Sequence, residues 1–174
     1  MSGYYEARKD EYLISTDPSL LRVDMIHQYL SNVSYWALNI PRDVVERSIS
    51  NSLCFGLYEK DEPNLPAGRQ VGFARAVTDK ATFAYLADVF ILEEYRRKGL
   101  AKWLMETIQA HPELQGLRRW MLGTRDAHKL YEQFGWTVLD EDTRKRFMQR
   151  HFKDVYHSPE VGKSESPKDN SSWE

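Results

Sequence analysis

Phe83-Ala84-Tyr85-Leu86-Ala87-Asp88-Val89-Phe90-Ile91 is an almost entirely apolar run, and it predicts a strand that is buried on both faces. After this strand, Leu100, Leu104 and Ile108 recur at four-residue spacing, which is typical of one face of an amphipathic helix. The two elements are joined through the basic turn Arg96-Arg97-Lys98-Gly99. The chain therefore passes from a buried strand into a helix through a short, positively charged, glycine-containing turn.

Further strand and helix signals lie on both sides of this unit. Apolar runs and alternations predict strands at Tyr12–Thr16, Ser52–Tyr58, Gln70–Asp79, Arg119–Gly123, Trp136–Leu139 and Arg146–Arg150. Helical spacing and capping residues predict helices over 17–31, 40–51, 99–110 and 124–134. This order predicts an α+β fold, in which about four helices flank a mixed, mostly antiparallel sheet of six or seven strands. We expect strands 70–79 and 83–91 to form a hairpin, and a right-handed crossover to join strand 83–91 to strand 119–123.

The chain of 174 residues fits one domain with two short tails. Residues 1–10 are polar and charged without a period, and we expect them to be a loose lead-in. Residues 11–152 carry the predicted elements and form the predicted domain. Over residues 153–174 the composition changes to Ser, Pro, Lys, Glu and Asp, which predicts a disordered tail.

The composition of the chain argues against several classes of protein. A formal net charge of −2 and an isoelectric point near 6.2 argue against a general nucleic-acid binder. No apolar stretch approaches the roughly 20 residues of a membrane span. The first residues also lack a secretory apolar core, so we expect a cytoplasmic protein without a membrane partner. Cys54 is the sole cysteine and the histidines lack ligand spacing, so we expect neither a disulfide nor a metal site.

The basic turn from Arg96 to Ala101 has a chemical use. The first N–H groups of a helix lack partners inside the helix and carry the positive end of its dipole, so they attract phosphate. Gly99 lets an anion approach the backbone closely, and the three cations before it add positive charge. The pattern is compatible with binding a pyrophosphate. A solvated basic surface and a small nucleic-acid-binding domain are two other interpretations of the same cluster.

Two motifs together resemble those of a known family. Residues 89–101, Val-Phe-Ile-Leu-Glu-Glu-Tyr-Arg-Arg-Lys-Gly-Leu-Ala, resemble the acetyl-CoA signature of the GNAT superfamily of N-acyltransferases, whose core is Arg/Gln-x-x-Gly-x-Gly/Ala. Residues 122–136, which include Leu130-Tyr131 and Phe134-Gly135-Trp136, resemble the second signature of that family. The resemblance covers about residues 11–150. It implies the family fold, in which a splayed central strand pair forms an acetyl-CoA cleft.

The resemblance also implies an acetyl-CoA site along the first motif. The strand residues would offer backbone groups to the pantetheine arm, and the basic turn would hold the pyrophosphate on its N–H groups. The residues of the implied site are Val89, Phe90, Ile91, Arg96, Arg97, Lys98, Gly99, Leu100, Ala101 and Thr124.

Tyr131 and Asp88 are the candidate catalytic residues. Tyr131 lies where the family has the acid that protonates the departing thiolate, and the reference pKa values of a phenol and a thiol, about 10 and about 8.5, permit that transfer. Simple packing against the sheet is the alternative for Tyr131. Asp88 interrupts the apolar strand, on the face that we assign to Leu86 and Phe90, and a buried carboxylate needs a partner or a catalytic role. It would act as the base for an ammonium acceptor, or it would pair with Arg75 and fix the acceptor wall.

Aromatic side chains are the candidate acceptor wall. Tyr35 and Trp36 lie in the connection between two predicted helices, where plain packing is the alternative role. Tyr85 lies near where some family members carry a catalytic glutamate, but tyrosine is a poor base at neutral pH. Thr78 and Asp79 are further wall candidates.

The sequence thus predicts an N-acetyltransferase that moves the acetyl group of acetyl-CoA to a primary amine by direct attack. The expected partner is a small-molecule or peptide amine, and the expected state is a monomer or a homodimer. An acyl-CoA-binding sensor or partner-binding module without turnover is the alternative from a different class.

Overall fold

Six strands form one sheet, in chain order, in the part of the protein that the computed structural model describes, residues 3–60, 64 and 66–156. The strands are β1 (Glu6–Lys9), β2 (Tyr12–Ser15), β3 (Leu53–Glu59), β4 (Arg69–Thr78), β5 (Phe83–Ile91) and β6 (Arg119–Leu122). Neighbouring strands are antiparallel, except that β6 runs parallel to β5. The predicted α+β class and the mixed, mostly antiparallel sheet are confirmed.

Helices precede and follow the central strands. The α-helices within the described ranges are α1 (Val23–Asn32), α2 (Arg42–Ser50), α3 (Leu100–Ala110), α4 (His128–Glu132) and α5 (Glu141–Arg146). The capping signal at Asp17 starts only a short 3₁₀ turn, in which the Asp17 carboxylate accepts from the N–H of Ser19. The first α-helix therefore begins later than predicted, at Val23.

Two apolar layers fill the two faces of the sheet. The layer under α1 and α2 contains Ile26, Leu30, Val45, Phe73 and Phe90. The layer under α3 contains Phe55, Leu57, Leu86, Leu100, Leu104 and Ile108. The predicted stripe of α3 is thus buried, and full burial of each such side chain contributes about 1.5–3 kcal/mol to stability.

The β4–β5 hairpin is closed by side chains that the sequence offered as acceptor-wall candidates. The Asp79 carboxylate accepts from the N–H groups of Ala81, Thr82 and Phe83. The hydrogen bond from the Thr82 hydroxyl, together with these backbone hydrogen bonds, lowers the pKa of Asp79. The Thr78 hydroxyl donates to the carbonyl of Phe83. Both side chains therefore serve the turn, and the predicted hairpin is confirmed.

A β-bulge interrupts β5 at Asp88. Phe73 pairs with Phe90 and Arg75 pairs with Ala87, so β5 has one more residue than β4 between these pairs. Asp88 has a φ of 53°, in the left-handed region. Side chains along a strand alternate between the two faces of the sheet, and the extra residue reverses this alternation. Leu86 therefore lies in the layer under α3, and Phe90 lies in the layer under α1 and α2. The expectation that they share one face with Asp88 is wrong.

Strands β5 and β6 separate beyond Leu86. Their parallel pairing runs only from Phe83–Arg119 to Leu86–Leu122, although β5 continues to Ile91. No strand in the described ranges pairs with the β6 side of residues 87–91. We call this opening the splay.

Of the two expectations about the ends of the chain, one is wrong and the other is only partly testable. Residues 1–10 are not simply a loose lead-in, because Glu6–Lys9 forms β1, antiparallel to β2. The C-terminal segment is turn-like over 153–156, and Tyr156 packs against the layer under α1 and α2. The rest of the predicted tail, 157–174, lies outside the described residues.

The two strands predicted after α4 do not form. Trp136–Leu139 is not a strand, because Trp136 packs edge-on against the rings of Trp120 and Tyr131 and its N–H donates to the carbonyl of Tyr131. The predicted strand over 146–150 is also absent. Arg146 is the last residue of helix α5, which the Asp140 carboxylate caps by accepting from the N–H of Thr143, and residues 147–150 belong to no strand.

Candidate active site

The turn that leads into α3 and the first residues of that helix carry a row of unused backbone N–H groups. Within the described ranges, no protein group accepts a hydrogen bond from the N–H groups of residues 97–102. Arg97 and Gly99 have positive φ angles of 62° and 75°, and Gly99 is the N-cap of α3. A Cβ atom on Gly99 would meet nothing within 4 Å, so the space in front of these amides is open. The positive end of the α3 dipole makes this place attractive to an anion.

The two arginines of this segment differ in their contacts. Arg96 Nε donates to the carbonyl of Ile91 at 3.2 Å, and Arg96 Nη2 donates to the hydroxyl of Tyr29 at 3.2 Å. Arg97 is exposed, and its guanidinium forms no hydrogen bond or ion pair with any residue that the structure describes. Arg97 is therefore the arginine whose guanidinium remains available to a ligand.

Lys98 is held by a network of hydrogen bonds with side chains of the sheet and of the segment before the turn. Its Nζ donates to the hydroxyl of Tyr12 at 3.3 Å and lies 5.0 Å from the ring centroid of Tyr95. The Glu59 carboxylate accepts from the Tyr12 hydroxyl at 3.4 Å and from the Tyr95 hydroxyl at 2.8 Å. Burial raises the pKa of both tyrosines. The network ties the basic turn to β2 and β3.

The open edge of β5 consists of Val89, Phe90 and Ile91. Phe90 packs in the layer under α1 and α2, whereas Val89 and Ile91 pack in the layer under α3. The Ile91 carbonyl already accepts from Arg96, which leaves the backbone groups before it for an extended ligand.

Asp88 is bound on both of its carboxylate oxygens. Arg75 Nε donates to Oδ2 at 2.5 Å, and Trp36 Nε1 donates to Oδ1 at 3.0 Å. Arg75 also donates to the hydroxyl of Ser52 at 3.2 Å. The Asp88 side chain is 8% exposed, so Arg75 balances a charge that is nearly buried.

The α1–α2 connection is attached to both sides of the splay. Trp36 binds Asp88 on β5, as described above. The Tyr35 hydroxyl accepts from the N–H of Arg125 at 2.9 Å, and the Arg125 guanidinium lies 3.9 Å from the Tyr35 ring centroid. The two aromatic rings pack edge to face with centroids 5.0 Å apart. These contacts hold Tyr35 and Trp36 beside the splay.

Tyr131 lies on α4 and is 9% exposed. Its hydroxyl has no hydrogen-bond partner among the residues that the structure describes. Burial raises the pKa of Tyr131 to about 12, and nearby Tyr35 and Asp126 contribute to the rise. The phenol is therefore protonated throughout the neutral range.

Two other predicted residues have a hydroxyl group near the end of β6. The Tyr85 hydroxyl lies 3.3 Å from where a Cβ atom of Gly123 would be. Thr124 Oγ1 accepts from the N–H of Ala127 at 3.0 Å and so closes the turn into α4. Tyr85, Tyr35 and Trp36 thus border the splay.

Sequence reasoning missed Arg125 and Tyr29. Arg125 is the second residue after the predicted strand at 119–123, and its place inside the second motif could have marked it. Tyr29 carries no comparable signal, because its hydroxyl meets Arg96 only after α1 packs on Phe90, to which its ring is stacked at 3.8 Å.

A separate cavity of about 360 Å³ lies between β6, the end of α3 and residues 134–143, and none of the predicted site residues line it.

In the described ranges, no group of three His, Cys, Asp or Glu residues is arranged to hold a metal ion. No helix among those residues has the length and apolar character needed to cross a bilayer.

Known proteins resemble this chain in sequence and in structure. Residues 50–138 match the family described as "Acetyltransferase (GNAT) domain". A provisionally assigned acetyltransferase of Gibberella zeae is 38% identical over 123 residues, which are 62% of this chain and 70% of that protein. The crystal structure of a provisionally assigned GNAT-family acetyltransferase from Xanthomonas campestris is 44% identical, with a TM-score of 0.79. That match covers 87% of this chain and all of that one, 100%.

A more distant structure has the same fold. It is a GNAT-family acetyltransferase from Elizabethkingia anophelis with acetyl-CoA bound, 12% identical to this chain with a TM-score of 0.54. The match covers 76% of this chain and 80% of that one.

Proposed function

Because this chain belongs to the GNAT family of acetyltransferases, we propose that it transfers the acetyl group of acetyl-CoA to a primary amine. One observation carries the proposal. The unpartnered N–H groups of residues 97–102 come after a five-residue connection from a strand whose edge is open over residues 87–91. Such a pairing of an anion site with an open strand edge suits a ligand that has a diphosphate and an extended, amide-containing arm.

The residues of the first motif fit acetyl-CoA in two parts. The N–H groups of Arg97 to Ala101 would hold the pyrophosphate, and the open space at Gly99 would admit it. The backbone of Val89 and Phe90 would meet the pantetheine arm. Thr124 would border the arm from the other side of the splay, where its hydroxyl closes the turn into α4.

The three cations have separate roles in this proposal. Arg97 would contact phosphate oxygens, because its guanidinium has no partner in the described residues. Arg96 and Lys98 would shape the turn instead, because they are bound to Ile91, Tyr29 and Tyr12.

Acetyl-CoA supplies an acetyl group activated as a thioester: the neutral amine attacks the carbonyl carbon, a C–N bond forms, and the C–S bond breaks with its electron pair leaving on sulfur. Tyr131 donates its hydroxyl proton to that sulfur and regains a proton from solvent. The amine nitrogen gives up one proton to water, so the charges balance. The burial that raises the pKa of Tyr131 to about 12 also disfavours a bare thiolate at the same place.

On the acceptor side, Asp88 would fix the wall rather than act as the base. Each of its carboxylate oxygens already accepts a hydrogen bond, one from Arg75 and one from Trp36, and this arrangement suits a positioning role. Asp88 would therefore hold Trp36 in place, and Tyr35, Trp36 and Tyr85 would line the acceptor site.

The test combines calorimetry with thiol release. Coenzyme A should bind with measurable heat, and a panel of primary amines should include at least one that releases coenzyme A thiol from acetyl-CoA. Binding without turnover on any amine would favour the acyl-CoA-binding sensor. Absence of coenzyme A binding would overturn both functions.

A further inference from the structure

Three aromatic rings border the splay on the face covered by α1 and α2. Tyr35, Trp36 and Tyr85 are 42%, 41% and 40% exposed. Tyr85 pairs with Val77 and so lies on the same side of β5 as Ala87, which pairs with Arg75. Large aromatic side chains are usually more buried than this, so three half-exposed rings at one opening form a surface for contact with another molecule.

The polar atoms of these rings are directed toward the protein. Trp36 Nε1 donates to Asp88, and the Tyr35 hydroxyl accepts from the N–H of Arg125. The Tyr85 hydroxyl lies against Gly123. What these side chains leave to a ligand is mainly ring surface, which binds by stacking and by apolar contact rather than by hydrogen bonds.

The charges beside the rings balance. Arg75 pairs with Asp88, and Arg125 lies over the Tyr35 ring with Asp126 next to it in the chain. Asp126 is also close enough to Tyr131 to affect its pKa, so these four described groups supply two positive and two negative charges. A substrate with a second ammonium group, a phosphate or a carboxylate would find no excess of opposite charge here.

We infer that the acceptor is a monoamine with an uncharged aromatic body, of the arylalkylamine class. This inference rests on the proposed acetyl transfer and specifies its substrate. The aryl group stacks on Trp36 and Tyr85, and the amine nitrogen reaches the thioester carbon. The product is the N-acetyl arylalkylamine, together with free coenzyme A thiol.

The experiment measures thiol release from acetyl-CoA with five amines. The aryl probes are 2-phenylethylamine and tryptamine, the apolar comparison is n-butylamine, and the charged probes are spermidine and glucosamine 6-phosphate. We expect kcat/KM for the aryl probes to exceed that for every other probe by about 10-fold, since stacking contacts each contribute about 0.5–1.5 kcal/mol. Higher kcat/KM for either charged probe overturns the inference while leaving acetyl transfer intact. No turnover with any probe overturns the inference as well, and coenzyme A calorimetry then reports separately on cofactor binding.

Variants at Trp36 test the ring itself. Trp36→Leu should raise KM for 2-phenylethylamine about 3- to 10-fold with little change for n-butylamine. Trp36→Phe keeps a ring and loses only the bond to Asp88, so it should restore most of the affinity for the aryl probe. Phe152→Leu, at another exposed aromatic residue (62% exposed), is the control and should change neither KM. Equal effects of Trp36→Leu on both amines would overturn the inference.

Discussion

A single hydroxyl group distinguishes Tyr131 from phenylalanine, and in the described ranges that group has no protein partner. Tyr131→Phe should therefore lower kcat by on the order of 100-fold, the lower end of what general acids contribute, without changing the affinity for coenzyme A. Steady-state thiol release and calorimetry measure the two quantities. Tyr4→Phe, at a half-exposed tyrosine distant in sequence from the motifs, is the matched control and should leave both unchanged. Unchanged kcat in Tyr131→Phe would leave Tyr131 with a packing role only.

The Asp88 carboxylate has two proposed roles that one series of variants separates. In the wall-fixing role, Asp88→Asn keeps an oxygen for Trp36 Nε1, so kcat should fall only a few-fold and the pH profile should keep its shape. In the base role, kcat would fall by about 100-fold or more. The part of the pH profile in which kcat rises as the base loses its proton would also disappear. A pH series of thiol release distinguishes the two results.

Arg75, which pairs with Asp88, should contribute more to the free energy of unfolding than to kcat. Arg75→Met leaves a nearly buried carboxylate without its counter-charge, so the free energy of unfolding should fall by about 2–4 kcal/mol, slightly below the range for fully buried pairs. Arg75 is 18% exposed, which accounts for the reduction. Urea denaturation measures this change, and a loss under about 0.5 kcal/mol would show that the pair is weak.

At the scale of elements, the start of α3 depends on a glycine. Gly99→Ala should cost about 1 kcal/mol because alanine is disfavoured at a φ of 75°, and should also weaken coenzyme A binding, because the new methyl group enters the space in front of the amides. Gly116→Ala is a matched control, since Gly116 has a φ of 74° and equally open surroundings but lies after α3. It should show the same loss of stability in urea denaturation with unchanged calorimetry. Equal loss of affinity in both variants would contradict an anion site at Gly99.

The elements that the sequence predicts correctly are those in which local pattern and burial agree. The apolar run of β5 and the stripe of Leu100, Leu104 and Ile108 both lead to buried elements, as expected. Strand β1 has no such pattern because it is an edge strand with mostly exposed side chains, and only its pairing with β2 makes it a strand. The strand prediction after α4 is wrong for the opposite reason, because a local strand pattern is present but tertiary contacts override it. Trp136–Leu139 has high strand propensity, but the contacts of the Trp136 ring determine its conformation.

The site is predictable only in part from sequence. The N–H groups before α3 follow from a motif and a helix start, which are local properties. The different roles of Arg96 and Arg97 depend on Tyr29, which α1 places beside Arg96. The role of Asp88 depends on a bulge that reverses which face of the sheet each following side chain occupies. Those are tertiary properties that a pattern along the chain does not contain.

For the whole molecule, His111 links three parts of the chain. Its ring packs edge-on against Tyr5 and Phe55, and Nδ1 accepts from the N–H of Glu113. Burial lowers the pKa of His111, while Glu113 opposes the shift and Lys80 adds to it.

The unfolded chain therefore binds a proton at His111 more readily than the folded protein does. The free energy of unfolding should be level above about pH 6.5, the unfolded pKa, and fall as pH decreases through the lower folded pKa. Urea denaturation between pH 5 and 7.5 measures the slope, and His111→Gln should reduce it. His128→Gln, at an exposed histidine, should not. A slope that persists in His111→Gln would assign the effect to other groups.

The bulge at Asp88 also constrains how this protein can vary in length. Deleting one residue between Ala87 and Val89 would exchange the sides on which Phe90 and Ile91 emerge, so that each would leave its own apolar layer. Natural relatives that share this opening should therefore tolerate substitutions between Leu86 and Phe90 but neither insertions nor deletions. In this short interval the number of residues is more strictly determined than their chemical character.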